Sequence, residues 1–164
     1  MTGVRSAALI AVALVLQTTL ARYLVRGSVG VDLVLVAVIY ISLRGGPTVG
    51  MLTGTVAGLA QDALALGVVG IGSLGKTIVG YLAGTVGATF IVAQPLPRFL
   101  VFFAATIVEM AAVTGLHAAL DQGPAVVPVG AIIAQAFGNS LVGVVLFQLA
   151  EGLPRAAERR RARR

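Results

Sequence analysis

The few charged residues of this chain are concentrated near its C-terminal end. Eight of the 18 formal charges lie in the last fourteen residues, which leaves ten for the first 150. Uncharged runs of sixteen, seventeen and twenty-one residues cover 6–21, 45–61 and 77–97. With 58% hydrophobic residues and a mean hydropathy of +1.00, a water-soluble fold would expose more apolar surface than soluble monomers tolerate, whereas a bilayer accommodates such surface. The sequence therefore predicts an all-α, polytopic membrane protein.

The length of the chain limits the number of membrane spans. A spanning helix needs roughly 20 apolar residues, so 164 residues predict six transmembrane helices with short connections and no separate soluble domain. We predict a transmembrane domain over 1–151 and a basic cytoplasmic tail over 152–164. The expected spans are Val4–Ala21, Gly30–Leu43, Thr48–Leu64, Ile71–Val92, Arg98–Leu120 and Val129–Ala150, separated by glycine and proline breaks.

The basic residues beside the span ends predict the orientation. If the N-terminus is cytoplasmic, Arg5, Arg44, Arg98 and six tail arginines lie inside, against Arg22 and Arg26 outside. Basic residues are retained on the cytoplasmic side, so this nine-to-two asymmetry predicts that both termini are cytoplasmic. Most of the net charge of +6 comes from the tail, which indicates contact with anionic lipid rather than nucleic acid.

Small residues recur every four positions in the third and fourth spans. Such spacing places them on one helix face and lets another helix approach closely. We interpret these stripes mainly as internal packing, and we also predict that Gly80 and Gly84 contact a partner's helix. The candidates for helix packing or partner binding are Gly50, Gly54, Gly58, Gly80, Tyr81 and Gly84, and Lys76 interrupts the second stripe.

Three charged residues flank the apolar connections of this region. Asp32 opens the second span, where a carboxylate meets the positive end of the helix dipole, so we interpret it as an interfacial cap rather than a ligand. Asp62 and Lys76 flank a glycine-rich, nearly apolar connection, and we predict that they pair, because each charge is costly at membrane depth. In the alternative, which we weigh equally, Lys76 extends toward the interface and Asp62 is solvated.

Polar side chains also lie within the last two predicted spans. Glu109 is near the middle of an otherwise uncharged fifth span. An acid at that depth indicates either proton coupling or cation binding, or a protonated or hydrogen-bonded structural role. Gln135 and Asn139 lie one turn apart in the sixth span. They line a polar pocket or, as we favour, hydrogen-bond to a neighbouring helix.

The residues that enzymes and metal sites require are not assembled in this sequence. No combination of nucleophile, base and orienting residue emerges, and phosphate loops and zinc spacings are absent. The chain has no cysteine and one histidine, His117, which without nearby carboxylates or thiolates is poor evidence of a metal site. We predict neither an enzyme nor a cofactor.

Several short motifs lie between Val31 and Gly84: Val31-Asp32-Leu33, Leu43-Arg44-Gly45-Gly46-Pro47, Gln61-Asp62, Gly67, Gly70, Ser73-Leu74, Lys76 and Gly80-Tyr81-Leu82-Ala83-Gly84. In these motifs the chain resembles the bacterial rod shape-determining protein MreD family. Size, hydropathy and the basic C-terminus agree along the rest of the chain. Beyond Arg98 the resemblance depends on hydropathy alone, so Glu109, Gln135 and Asn139 inherit no role from it.

The resemblance implies a non-enzymatic inner-membrane subunit of the cell-wall elongation (rod) complex, supporting peptidoglycan synthesis and cell shape. Members of the family associate with MreC, a single-span protein, and through it with a RodA-type glycosyltransferase, a class B penicillin-binding transpeptidase and the actin-like MreB. The six-helix architecture also resembles the substrate-binding components of energy-coupling-factor vitamin transporters. In this alternative, the chain is such a transporter component and a cavity lined by Glu109, Gln135 and Asn139 holds a small ligand. The low aromatic content, 5%, argues against it.

Overall fold

The computed structural model describes residues 3–24, 30–65, 69–90, 94–120 and 127–161, with the backbone alone for 20–24 and 152–161. Within these residues the fold is entirely helical and has six helices. Their bounds are α1 Gly3–Leu24, α2 Leu33–Gly45, α3 Pro47–Ala65, α4 Ile71–Thr89, α5 Pro95–Ala119 and α6 Val129–Arg161.

Each predicted span corresponds to one of these helices, but several ends differ. α2 begins at Leu33 rather than Gly30, and α4 ends at Thr89 rather than Val92. Pro95 and Pro97, expected before the fifth span, lie in the first turn of α5, where the missing N–H of proline costs nothing. α6 continues to Arg161, well into the predicted tail. Two helices are long and apolar enough to cross a membrane, α5 and the Val129–Glu151 part of α6. That the other four also cross is a prediction from the sequence.

α2 is the central helix of the bundle. Ten consecutive residues, Val34 through Leu43, are buried, and all five other helices pack against α2. A helix that is hydrophobic on every side is stable only when it is surrounded. At 13 residues α2 is about 20 Å long, shorter than the roughly 30 Å of bilayer hydrocarbon. Its N-terminal end, next to the buried Asp32, lies inside the protein, so the polar groups there need protein partners, whereas Arg44 in the last turn is exposed.

A single residue connects α2 to α3. Gly46 has φ +83°, a left-handed conformation that costs little only for glycine. Its N–H donates to the Ser42 carbonyl over 2.9 Å, which closes the last turn of α2. Pro47 then begins α3, so the two helices are held side by side.

The two glycine stripes face each other across the antiparallel α3 and α4 interface. A Cβ added at Gly50 would overlap the Gly80 carbonyl, and one added at Gly54 would overlap the Lys76 carbonyl. Thr55 and Thr77 hydroxyls, 2.8 Å apart, join the same helices. Backbones approach this closely only where side chains are absent. The stripes are therefore internal packing surfaces, and the Gly80 and Gly84 face, which we predicted to contact a partner's helix, is already covered by α3.

Candidate functional site

The first turn of α2 receives hydrogen-bond partners from three parts of the chain. Asp32 Oδ1 accepts from the Leu35 N–H over 2.9 Å, and Asn139 Oδ1 on α6 accepts from the Asp32 N–H over 2.8 Å. Gln17 Oε1 on α1 accepts from the Val34 N–H over 3.1 Å. Because a buried N–H without a partner is costly, these side chains allow the helix to begin inside the protein.

The second oxygen of Asp32 pairs with Lys76. Lys76 Nζ lies 2.9 Å from Asp32 Oδ2 and 2.5 Å from Glu109 Oε1. The side chains of Asp32, Lys76 and Glu109 are 10%, 5% and 3% exposed, respectively. One ammonium group therefore joins α4 to α5 and to the start of α2. Asp32 is a helix cap, as predicted, but it is buried rather than interfacial and is also an ion-pair partner.

The predicted pair of Asp62 and Lys76 is wrong. Asp62 Oδ2 instead accepts from the backbone N–H groups of Gly70, over 2.8 Å, and Ser73, over 3.1 Å. Gly70 precedes α4 and has no side chain to cap it. The Asp62 carboxylate on α3 therefore accepts hydrogen bonds from the N–H groups at the start of α4, and its negative charge is stabilised by the positive end of the helix dipole. Lys76 lies a turn further along α4, where two buried carboxylates surround it.

The two polar residues of α6 have different surroundings. Asn139, fully buried, donates from Nδ2 to Thr106 Oγ1 on α5 over 3.2 Å and also caps α2. This agrees with the helix-to-helix alternative. Gln135 lines a cavity, which agrees with the pocket alternative, so each interpretation holds for one residue.

A cavity of about 290 Å³ lies beside the buried charges. Its polar lining residues are Asp32, Gln61, Asp62, Lys76, Glu109, His117 and Gln135. Gln61 Nε2 donates weakly to Asp32 Oδ2 over 3.5 Å, whereas its Oε1 is buried without a partner. His117 Nδ1 is 2.8 Å from the Val113 carbonyl of its own helix. Three carboxylates face one ammonium group, so the cavity favours cations and hydrogen-bond donors over anions.

The described residues contain no group of three His, Asp or Glu side chains arranged to hold a metal ion. The buried charges can therefore do two things with the groups present. They hold α2, α4 and α5 in one register, since any sliding separates Lys76 from a carboxylate. They also provide carboxylates that can hold a proton at the cavity.

A second, partly exposed charge cluster, which was not predicted from the sequence, lies at the opposite end of α2. Glu151 Oε1 is 2.8 Å from Arg98 and 3.4 Å from Arg44. The Arg98 guanidinium lies 4.5 Å from the Phe147 ring centre, and Arg44 lies over the Tyr40 ring. No local signal in the sequence marks this contact, because Glu151 lies 107 positions from Arg44 and 53 positions from Arg98.

The comparisons with known proteins give one match. The family model of the rod shape-determining protein MreD matches residues 2–150. No curated protein and no solved structure matches significantly, so the likeness to vitamin-transporter components stays a prediction. The match includes α1 to α5 and α6 up to Ala150, together with both charge clusters except Glu151. This chain therefore belongs to the rod shape-determining protein MreD family.

Proposed function

We propose that this chain is a non-enzymatic integral membrane subunit of the cell-wall elongation complex. It binds an MreC-like single-span protein and, through it, a RodA-type glycosyltransferase and a class B penicillin-binding transpeptidase, with MreB at the cytoplasmic face. The observation that carries this proposal is the family match over nearly the whole membrane domain. The family is one of membrane proteins that determine rod shape, and it is not a known enzyme family.

The packing within the chain limits where the partner's helix binds. The small-residue faces of α3 and α4 are used against each other, and α2 is enclosed. The partner must therefore bind an outward face. We place it on the outer stripe of α4, formed by Ile78, Tyr81, Leu82 and Thr85, which are exposed and lie three or four positions apart.

Tyr81 is the residue that distinguishes this stripe from a purely lipid-facing surface. It is 51% exposed, and its hydroxyl has no hydrogen-bond partner among the described residues. Tyr81 is near the middle of the 19-residue α4, whereas tyrosines that face lipid concentrate at the membrane interfaces. A hydroxyl in hydrocarbon without a partner is costly. A helix from another protein that accepts its hydrogen bond removes that cost.

The test is retention of the MreC-like partner on the tagged chain. Tyr81→Phe removes only the hydroxyl, and loss of one hydrogen bond of about 1 kcal/mol predicts roughly fivefold weaker binding. Ile78→Trp should obstruct the stripe and abolish retention, and rod-shaped cells that depend on this variant should round up. The matched control is Leu141→Trp on α6, also exposed, which should retain the partner.

The possible outcomes test the location of the partner-binding surface separately from the scaffold function. If both α4 variants fold and keep the partner while Leu141→Trp releases it, the partner binds α6 rather than α4. If the unmodified chain, purified from its native membrane, carries a tightly bound small molecule and no wall-synthesis protein, the scaffold function is wrong.

The transporter alternative is less well supported by the cavity. Glu109 and Gln135 line it, but Asn139 does not. The cavity of about 290 Å³ is at the lower limit of ligand pockets, and no Phe or Tyr ring is available there to stack on a vitamin. The scaffold function is accordingly the one that we propose.

A further inference from the structure

A groove lies between α1 and α6 at the end of the bundle that carries Arg44 and Glu151. Its volume is about 530 Å³. One wall of the groove is formed by Arg5, Ala8 and Val12 of α1, and the other by Ala150 of α6. The floor is formed by Tyr40 and Arg44 of α2. The groove therefore extends from a charged end near the helix termini to an apolar stretch about two turns further along α1.

The groove exists because α1 is attached to only part of the bundle. Over the described residues, α1 packs on α2 and briefly on α3, and no backbone approach joins it to α6. The facing residues Ala8 and Ala150 are too small to close the gap. The central helix is otherwise enclosed, so this groove is a place where a molecule from the membrane can reach α2.

The charged end of the groove is positive. Arg5 is exposed and forms no ion pair or hydrogen bond with any described side chain. Arg44 lies over the Tyr40 ring at 5.3 Å and shares Glu151 with Arg98. Arg5 and Arg44 are the charged residues among those that line the groove, and with the Glu151 carboxylate 3.4 Å from Arg44 these three described side chains leave a net charge of +1. Guanidinium pairs bind phosphate well, because their planar N–H donors match its oxygens.

We propose that this groove binds one anionic glycerophospholipid, with its phosphate between Arg5 and Arg44 and an acyl chain along Ala8 and Val12. The shape favours a lipid over a partner's helix. A helix about 10 Å wide occupies roughly 400 Å³ in each 5.4 Å turn, so the cavity would hold little more than one turn. An extended acyl chain is much thinner and fits along the two turns of α1 that line the groove.

The experiment measures lipid retention by native mass spectrometry of the full chain, released from nanodiscs that contain equal phosphatidylglycerol and phosphatidylcholine. We expect one retained phosphatidylglycerol per chain. Arg5→Gln should lower its retention relative to phosphatidylcholine about fivefold, since each basic residue near an anionic surface is worth about 1 kcal/mol. Arg5→Glu should abolish the preference. Ala8→Trp, which fills the groove, should remove the bound lipid of either type.

Matched controls keep the result specific to the groove. Arg164→Gln makes the same charge change in the C-terminal tail, and Ala11→Trp adds the same bulk at an exposed position of α1 that does not line the groove. Neither should alter retention. Thermal stability of each purified variant shows that the fold is intact, and Arg5, being exposed, is not needed for packing.

Several results would overturn the proposal. Equal retention of both lipids by the unmodified chain would do so, as would a loss of preference in Arg164→Gln but not in Arg5→Gln. Competition by soluble glycerol phosphate as effective as that of the lipid would indicate a free phosphate site. Cross-linking of a cysteine at Ala8 to a partner's helix, with no lipid retained, would assign the groove to protein docking.

Discussion

The ammonium group of Lys76 on α4 donates to Glu109 Oε1 on α5 over 2.5 Å, between residues 33 positions apart in the chain. Both side chains are almost completely buried. Neither charge would be stable there alone, because removing one partner of a buried pair typically costs about 3 to 5 kcal/mol. Since Asp32 binds the same ammonium group, the contact joins three helices and makes their mutual positions interdependent.

This interdependence predicts a specific pattern of stabilities. Lys76→Met should lower the free energy of unfolding by about 3 to 5 kcal/mol, because Asp32 and Glu109 lose their counter-ion. Combining Lys76→Met with Glu109→Gln should be less harmful than the sum of the two single changes, by about 0.5 to 3 kcal/mol. Unfolding in mixed detergent micelles measures the stability of the unmodified chain, of both single variants and of the double variant.

Asp62 is the control for that measurement. Its carboxylate binds backbone N–H groups rather than Lys76, so Asp62→Asn and Lys76→Met should be additive. Strong coupling of Asp62 to Lys76, together with additivity of Lys76 and Glu109, would contradict the arrangement of charges described above.

The two roles of Asp32 can be separated by the choice of substitution. Asp32→Asn keeps a side-chain oxygen for the Leu35 N–H and loses the ion pair, whereas Asp32→Ala loses both interactions. The free energy of unfolding of the Asp32→Ala variant should therefore be lower than that of the Asp32→Asn variant by about 0.5 to 2 kcal/mol, the usual contribution of an N-terminal cap. Denaturation of the two variants under identical conditions measures the difference, and equal stabilities would show that the cap contributes nothing.

Local patterns in the sequence predicted the helices and the tight α3 and α4 packing. Apolar runs, proline breaks and the four-residue glycine spacing are all properties of short segments. The ion-pair partners of Lys76 were not predicted, because they depend on which helices are neighbours. Asp62 is the acid nearer to Lys76 in sequence, but its carboxylate accepts hydrogen bonds from backbone N–H groups at the start of α4 instead. The central position of α2 brought Asp32 to Lys76 instead.

The role of Gln17 was also missed for a physical reason. Its amide accepts from the Val34 N–H only because α1 packs along α2, and a glutamine near the end of an apolar run carries no mark of that contact. Glu109 was correctly singled out as anomalous, since a charge within a long apolar run is visible without any knowledge of the fold. Its partner was not visible in the same way.

The membrane orientation is a separate prediction that rests on the basic residues. The chain has no cysteine, so single cysteines at Ser28, Gln122 and Ala162, all outside the described residues, can be labelled with an impermeant reagent in intact cells. The first two should react, because we expect them outside, and the third should not. Labelling at Ala162, or protection of both loop positions, would rule out cytoplasmic termini.

The glycine interface between α3 and α4 predicts which glycines tolerate a larger side chain. Gly54 lies against the Lys76 carbonyl, whereas a Cβ at Gly115 on α5 meets nothing within 4 Å. Gly54→Ala should therefore destabilise the chain by about 1 to 3 kcal/mol or more, as overpacking usually does. Gly115→Ala should be neutral or stabilising by about 0.5 to 1 kcal/mol, because alanine favours the helix.

The same reasoning applies to Gly80, whose added side chain would overlap the Gly50 carbonyl. Gly80→Leu should reduce the amount of monodisperse, folded protein before any effect on a partner can be seen. Tyr81→Phe, one residue further along α4, should leave the fold intact and weaken the binding of the partner. Size-exclusion chromatography of both variants, followed by the retention assay, separates these effects. A well-folded Gly80→Leu protein that has lost only its partner would show that the glycine face contacts the partner instead of α3.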